Sequence, residues 1–159
     1  MLAALVRADV RFVVVGGVAV VLQGYPRLTA DLDLAIDLDE APLRRALDAL
    51  EELGLVPLLP VSSRDFADPV QRAQWVDERD LRVFTMHDRA DPLRQVDLFA
   101  EDPIPFEDLW SRAMVVDLDG VSIRVASVDD LITMETMAGR PRDLEDIQAL
   151  LVIREQGDG

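Results

Sequence analysis

The sequence predicts an α/β (α+β) protein, a mixed β-sheet with helices packed on it, and three observations carry that expectation. Short strand-like runs such as Phe12–Val15, Leu81–Met86 and Arg94–Phe99 alternate with segments whose apolar residues recur at helical spacing. Asp119-Gly120 separates two further runs, Met114–Leu118 and Val121–Val125, and Asp-Gly is a strong signal for a tight hairpin. The stretch from Phe12 to Ile36, FVVVGGVAVVLQGYPRLTADLDLAI, reads as strand, glycine turn, short helix, loop and second strand. Alternating strands and helices with one hairpin fit a mixed, helix-covered sheet.

Taken in order, residues 1–10 predict a short helix with Leu2, Leu5 and Val6 on one side, and residues 11–15 the first strand. Gly16–Gly24 is the turn and helix, and Asp31–Ile36 the second strand. Asp39 is placed to N-cap a helix with Pro42 in its first turn, a Leu43, Leu47, Leu50 core stripe, and Gly54 as its stop. Residues 55–59 form a strand weakened by Pro57. Asp68–Arg79 is a helix with Trp75 inward, and His87 falls in the turn after the 81–86 strand. A proline-rich connector at 102–105 leads to a helix over 106–113, and the hairpin follows. Ser127 opens a helix with Asp130 placed as its capping-box partner, Gly139 ends it, and Pro141 opens a last helix reaching about Glu155. There is no repeat or linker, so residues 1–159 are expected to form one domain, with a core over about 11–126 and C-terminal helices over about 127–155.

Composition narrows the function classes. Half of the 159 residues are hydrophobic, enough for a sizeable core. No apolar run approaches the 18 or more residues that span a bilayer, and Arg7 and Asp9 end the apolar start too early for a secretory signal, so no membrane role and a cytoplasmic location are expected. The absence of cysteine excludes disulfides and thiolate chemistry. All sixteen basic residues are arginine, which excludes Schiff-base and Walker-type lysine chemistry. A net charge of −15 argues against binding duplex DNA, because such affinity comes mostly from phosphate neutralisation. The same acidity suits a basic protein partner.

Chemistry concentrates in the 12–36 stretch. Asp31 and Asp33 lie two residues apart in one strand, hence on one face, roughly 6.5–7 Å apart along the backbone. Such a pair needs a cation, a shared proton or water. Gly16 and Gly17 let backbone N–H groups at a helix start approach an anion, although tight strand–helix packing explains the same glycines. An anion site and a cation site in one unit suggest a metal-bound phosphate ligand. Asp-x-Asp by itself carries little weight, since it recurs at Asp37–Asp39 and Asp117–Asp119, where a strand end and a turn explain it.

Gly16-Gly17, thirteen spacer residues and Asp31-Leu32-Asp33 resemble the signature of the DNA polymerase beta-like nucleotidyltransferases. Arg94-Gln95-Val96-Asp97-Leu98-Phe99 resembles the later strand that carries their third carboxylate. Arg27-Leu28-Thr29-Ala30-Asp31-Leu32-Asp33 and Ala138-Gly139-Arg140-Pro141-Arg142-Asp143-Leu144-Glu145-Asp146 are similar to segments of the AbiEii-type toxin branch. The resemblance implies a polymerase beta-like nucleotidyltransferase fold and Mg²⁺-dependent transfer of NMP from an NTP to a hydroxyl of RNA or protein, within a toxin–antitoxin or phage-defence pair.

Asp31, Asp33 and Asp97 would then be the catalytic, metal-holding carboxylates, for two Mg²⁺ ions or Mn²⁺. Gly16, Gly17, Arg27, Thr29, Arg142 and Asp143 would meet the nucleotide and its phosphates. A surface arginine and a turn threonine explain Arg27 and Thr29 equally well, and helix-start electrostatics explains Asp143 and Asp146. Glu135 stands where relatives carry a basic residue. That departure and the acidity raise the alternative of an inactive fold acting as an antitoxin-like binder of a cognate toxin or antitoxin. An antibiotic-type small-molecule adenylyltransferase is the third reading.

Overall fold

A computed structural model describes residues 1–157. The elements run α1 (Leu2–Arg7), β1 (Phe12–Val15), α2 (Gly16–Leu22), β2 (Leu32–Ile36), α3 (Glu40–Glu52), β3 (Val56–Pro57), α4 (Ser63–Ala67) and α5 (Pro69–Arg79). They continue as β4 (Val83–His87), β5 (Gln95–Phe99), α6 (Phe106–Arg112), β6 (Met114–Leu118), β7 (Val121–Val125), α7 (Val128–Ala138) and α8 (Pro141–Gly157). The strands form one mixed seven-stranded sheet in the order β3-β4-β5-β2-β1-β7-β6. β1 pairs antiparallel with β2 and parallel with β7, and β2 pairs parallel with β5. The α/β expectation therefore stands.

The centre of the sheet follows from its sequence. Phe12, Val13, Val14 and Val15 are all buried, which is why β1 reads as a continuous apolar run rather than an alternating one. β4 and β5 alternate buried and half-buried residues, so Val96 and Leu98 enter the core while Gln95 and Asp97 face the other way. The core stripe of α3, Leu43, Leu47 and Leu50, is buried as its spacing predicts, and Trp75 of α5 is buried too.

Several local expectations fail for identifiable reasons. Helix α1 stops at Arg7 because Asp9 adopts a left-handed conformation, φ 55°. Asp39 precedes α3 without capping it by its side chain; its own N–H is instead accepted by Asp37 Oδ1, closing a turn. β3 keeps only two residues at the sheet edge, where Pro57 costs no interior hydrogen bond. Helix α4 was not expected; Ser62 caps it, and it buries Phe66 against Phe84 with ring centroids 4.2 Å apart. His87 is the last residue of β4, paired with Gln95, rather than part of a turn. Ser127 does accept the Asp130 N–H, but Asp130 does not complete the capping box: its carboxylate pairs with Arg112 at 2.7 Å.

Candidate active site

The site grows from the register of neighbouring strands. Asp33 on β2 lies opposite Val15 on β1 and beside Asp97 on β5, and Asp97 lies opposite Thr85 on β4. These pairings set a polar row, Asp33, Asp97, Thr85, across the sheet. Thr85 Oγ1 donates a 2.5 Å hydrogen bond to Asp97 Oδ1 and so fixes that carboxylate. Asp31 sits one residue before β2 rather than within it; it is exposed, and its Oδ1 accepts from Gln95 Nε2 at 3.2 Å.

The glycines explain themselves at this point. Helix α2 begins directly at Gly16, with no intervening turn, and Gly16 has φ +63°. A Cβ there would run into the Asp33 carboxylate. A Cβ on Gly17 would come within 2.5 Å of Thr29 Oγ1 and 2.8 Å of Arg27 Nη2. The Gly-Gly pair therefore lets Asp33, Thr29 and Arg27 close onto the start of α2. These distances describe close packing of the Asp33, Thr29 and Arg27 side chains against the two glycines.

Burial and mutual charge disfavour ionisation of the acids in the row. Burial first, then the Asp97 and Asp31 charges, push Asp33 up to about 7, against a partial pull down from Arg140 and Arg142. Burial also raises Asp97, opposed by the Thr85 hydroxyl. Clustered, partly desolvated carboxylates of this kind are the oxygen donor set that suits a hard divalent cation. By that chemistry the residues fit Mg²⁺.

Arg142 and the C-terminal acids do not behave alike. Arg142 is exposed and lines the cleft. Asp143 is buried; its Oδ2 accepts from the Arg140 backbone N–H at 2.8 Å and from Arg140 Nε at 3.0 Å. It anchors an arginine rather than meeting a phosphate itself. Asp146, also buried, accepts from Arg27 Nη2 at 2.7 Å. Arg27 and Arg140, both bordering the cleft, are thus held from behind by acids of α8.

Glu135, Asp143 and Asp146 bring one carboxylate oxygen each within 4.8 Å of one another. Arg140 and Arg27 already neutralise two of the three. Burial, followed by its interaction with Asp143, raises Glu135 well above the usual carboxylate range. This second acid cluster joins α7, which carries Glu135, to α8, which carries Asp143 and Asp146.

Above the row the surface opens into a cleft with two arms that share Gly16, Asp33, Asp97, Glu135 and Arg140. One arm, about 410 Å³, is bordered by Gly17, Arg27, Thr29, Asp31 and Arg142. The other, about 760 Å³, runs between β4, β5 and α7, past Val83, Phe99 and Met134. Five of the six residues expected at the nucleotide thus line one arm, and Asp143 stands behind it. Sequence reasoning missed Thr85 and Arg140. Thr85 needed the β4–β5 register to be found, whereas Arg140 lay in the Gly139-Arg140-Pro141 segment without a role.

A glycine-started helix thus faces two adjacent strand carboxylates on a mixed, helix-covered sheet, and the family match assigns the class, nucleotidyltransferase. The chain belongs to the family described as "Nucleotidyltransferase of unknown function (DUF6036)", which it matches over residues 3–156. No curated protein matches the chain. Solved structures share the fold at low identity. A lincomycin-bound lincosamide antibiotic adenylyltransferase, LnuA, is similar at 15% identity and TM-score 0.58, over 92% of this chain and 89% of that one. The antibiotic-resistance factor ANT(2'')-Ia is similar at 14% identity and TM-score 0.56, over 99% and 86%. An antigenic nucleotidyltransferase-like protein from Paracoccidioides brasiliensis is similar at 15% identity and TM-score 0.54, over 95% and 74%. Among the described residues no helix is long and apolar enough to cross a membrane.

Proposed function

We propose that this protein transfers NMP from an NTP to an acceptor hydroxyl in a Mg²⁺-dependent reaction. The observation that carries the proposal is the pairing of Asp33 with Asp97 across β2 and β5, beside a glycine whose missing side chain makes room for the Asp33 carboxylate. Asp33, Asp97 and Asp31 would hold the metal, two ions by the family resemblance, with Mn²⁺ as a substitute. The metal would supply charge neutralisation at the reacting phosphoryl group and at the attacking and leaving oxygens.

This chain's own residues supply the rest. Exposed Arg142 would bring positive charge to a triphosphate, and Arg27 and Arg140, held in place by Asp146 and Asp143, would offer it N–H donors. Thr85 keeps Asp97 oriented. Asp97, reached from both arms, is placed to accept the acceptor's proton.

Two lines of support point to different acceptors. The AbiEii-like segments at 27–33 and 138–146 support RNA or protein within a toxin–antitoxin or phage-defence pair, in the cytoplasm. The fold shared with a lincosamide adenylyltransferase supports a small molecule. The reading in which the fold only binds a cognate protein draws on the net charge of −15. A radiolabel-transfer assay with α-labelled NTPs and Mg²⁺ separates them: loss of transfer in Asp33→Ala and Asp97→Ala, with folding retained, supports catalysis. Full activity in either variant contradicts the assignment.

A further inference from the structure

Resting on the proposed NMP transfer, we infer that Gln95 is a positioning residue for the metal site. It does for Asp31 what Thr85 does for Asp97: each orients a carboxylate through a neutral hydrogen bond, leaving that acid's charge and second oxygen for the cation. Strand register puts both donors where they are needed. The pairing of Leu32 with Val96 and of Asp33 with Asp97 sets Gln95 beside Asp31. Side chains two residues apart share a face of a strand, so Gln95 stands on the same face of β5 as Asp97. On β4, Thr85 and His87 lie opposite Asp97 and Gln95 and fix both in the ladder.

Asp31 is the acid that needs a partner most. Asp33 and Asp97 lie within strands and are half-buried, and Asp33 is packed against Gly16. Asp31 precedes β2 and is exposed, so its side chain keeps rotamer freedom that a bound ion would have to remove. Gln95 Nε2 donates to Asp31 Oδ1 at 3.2 Å, as Thr85 Oγ1 donates to Asp97 Oδ1 at 2.5 Å. A carboxylate has two oxygens, and each of these bonds engages one of them.

The kind of donor carries the argument. The buried acids of α8 behind the cleft are each given an arginine: Asp143 accepts from Arg140 Nε at 3.0 Å and Asp146 from Arg27 Nη2 at 2.7 Å. A guanidinium cancels a carboxylate's charge and occupies the oxygens that a cation would use. Arg140 and Arg142 line the same cleft as the row. Even so, among the described residues no arginine forms an ion pair with Asp31, Asp33 or Asp97. Asp31 and Asp97 receive an amide and a hydroxyl instead, so two acids are held in place with their charge intact.

The test measures, at fixed NTP, the Mg²⁺ concentration needed to reach a given rise in Tm. By mass action a weaker site needs proportionally more ion for the same rise. Gln95→Met keeps the length of the side chain and removes the donor; it should need about tenfold more Mg²⁺ than the wild type, the scale on which groups that orient metal ligands act. Thr85→Val should raise the requirement on the same scale, and Thr85→Ser, which restores the hydroxyl, should return it towards the wild-type value. A merely structural role would instead lower the metal-free Tm and leave the Mg²⁺ requirement unchanged. That result in Gln95→Met, or a Thr85→Ser variant as demanding as Thr85→Val, overturns the inference. Absence of any Mg²⁺–NTP thermal shift in the wild type overturns the underlying transferase reading instead.

Discussion

Asp33 is the direct register partner of Asp97 on the neighbouring parallel strand, and the space that its carboxylate fills is the space where Gly16 lacks a side chain. Three elements, β1–α2, β2 and β5, are therefore locked to one another through two acids. That arrangement disfavours the metal-free protein at high pH, because like charges are held together in a partly desolvated place.

The first prediction follows from that repulsion. Asp33 has its folded pKa raised from 3.8 to about 7, so its ionisation costs stability as pH rises between those values. Asp33→Asn removes this cost. Without metal, the variant should match the wild type near pH 4, gain on it up to about pH 7, and hold a constant lead above that. A lead in Tm corresponding to at most about 4 kcal/mol, the free-energy equivalent of that shift, is expected by calorimetry at pH 8. Equal melting curves at pH 8 would show that Asp33 is not strained in this way.

Gly16→Ala tests the packing of the same acid. Its backbone, at φ +63°, is costly for any residue with a Cβ, and the new methyl meets Asp33. A loss of about 1–3 kcal/mol in chemical denaturation is expected, together with loss of NMP transfer. Retained transfer would mean that Asp33 tolerates displacement and is not a ligand.

Arg27 and Asp146 form the second testable pair. Asp146 is only 2% exposed, so Arg27→Met leaves a buried carboxylate without its partner. A loss of about 2–4 kcal/mol is expected for that variant. Because Arg27 is partly exposed, Asp146→Asn should cost less. A double-mutant cycle should report coupling above about 1 kcal/mol, and additive effects would show that the contact contributes nothing.

Much of the fold and part of the site were legible from the sequence because local signals agreed with one another. Strand β1 stood out because Phe12–Val15 is uniformly apolar, as its place in the sheet centre requires. The spacing of Asp31, Asp33 and Asp97 placed the acids on the correct strands or at their start. What stayed hidden depends on long-range register or on charge balance. That Thr85 faces Asp97 follows only from the β4–β5 pairing. That Asp143 and Asp146 serve arginines requires α8 to pack back across the cleft, which no spacing within residues 141–146 reveals. Helix α4 escaped notice because its five residues are too few to show a helical period, and Ser62 alone marks its start.

The most direct test of the central claim is the thermal stability of wild type, Asp33→Ala and Asp97→Ala with each NTP, with and without Mg²⁺. Ligand that binds only the folded protein raises Tm by mass action, about 2.7 kcal/mol when present at a hundred times Kd. A Mg²⁺-dependent rise with at least one NTP in the wild type, lost in both variants, is the predicted result. A rise that persists in the variants, or none with any NTP, would contradict the assignment of Asp33 and Asp97 as the residues that hold metal and nucleotide.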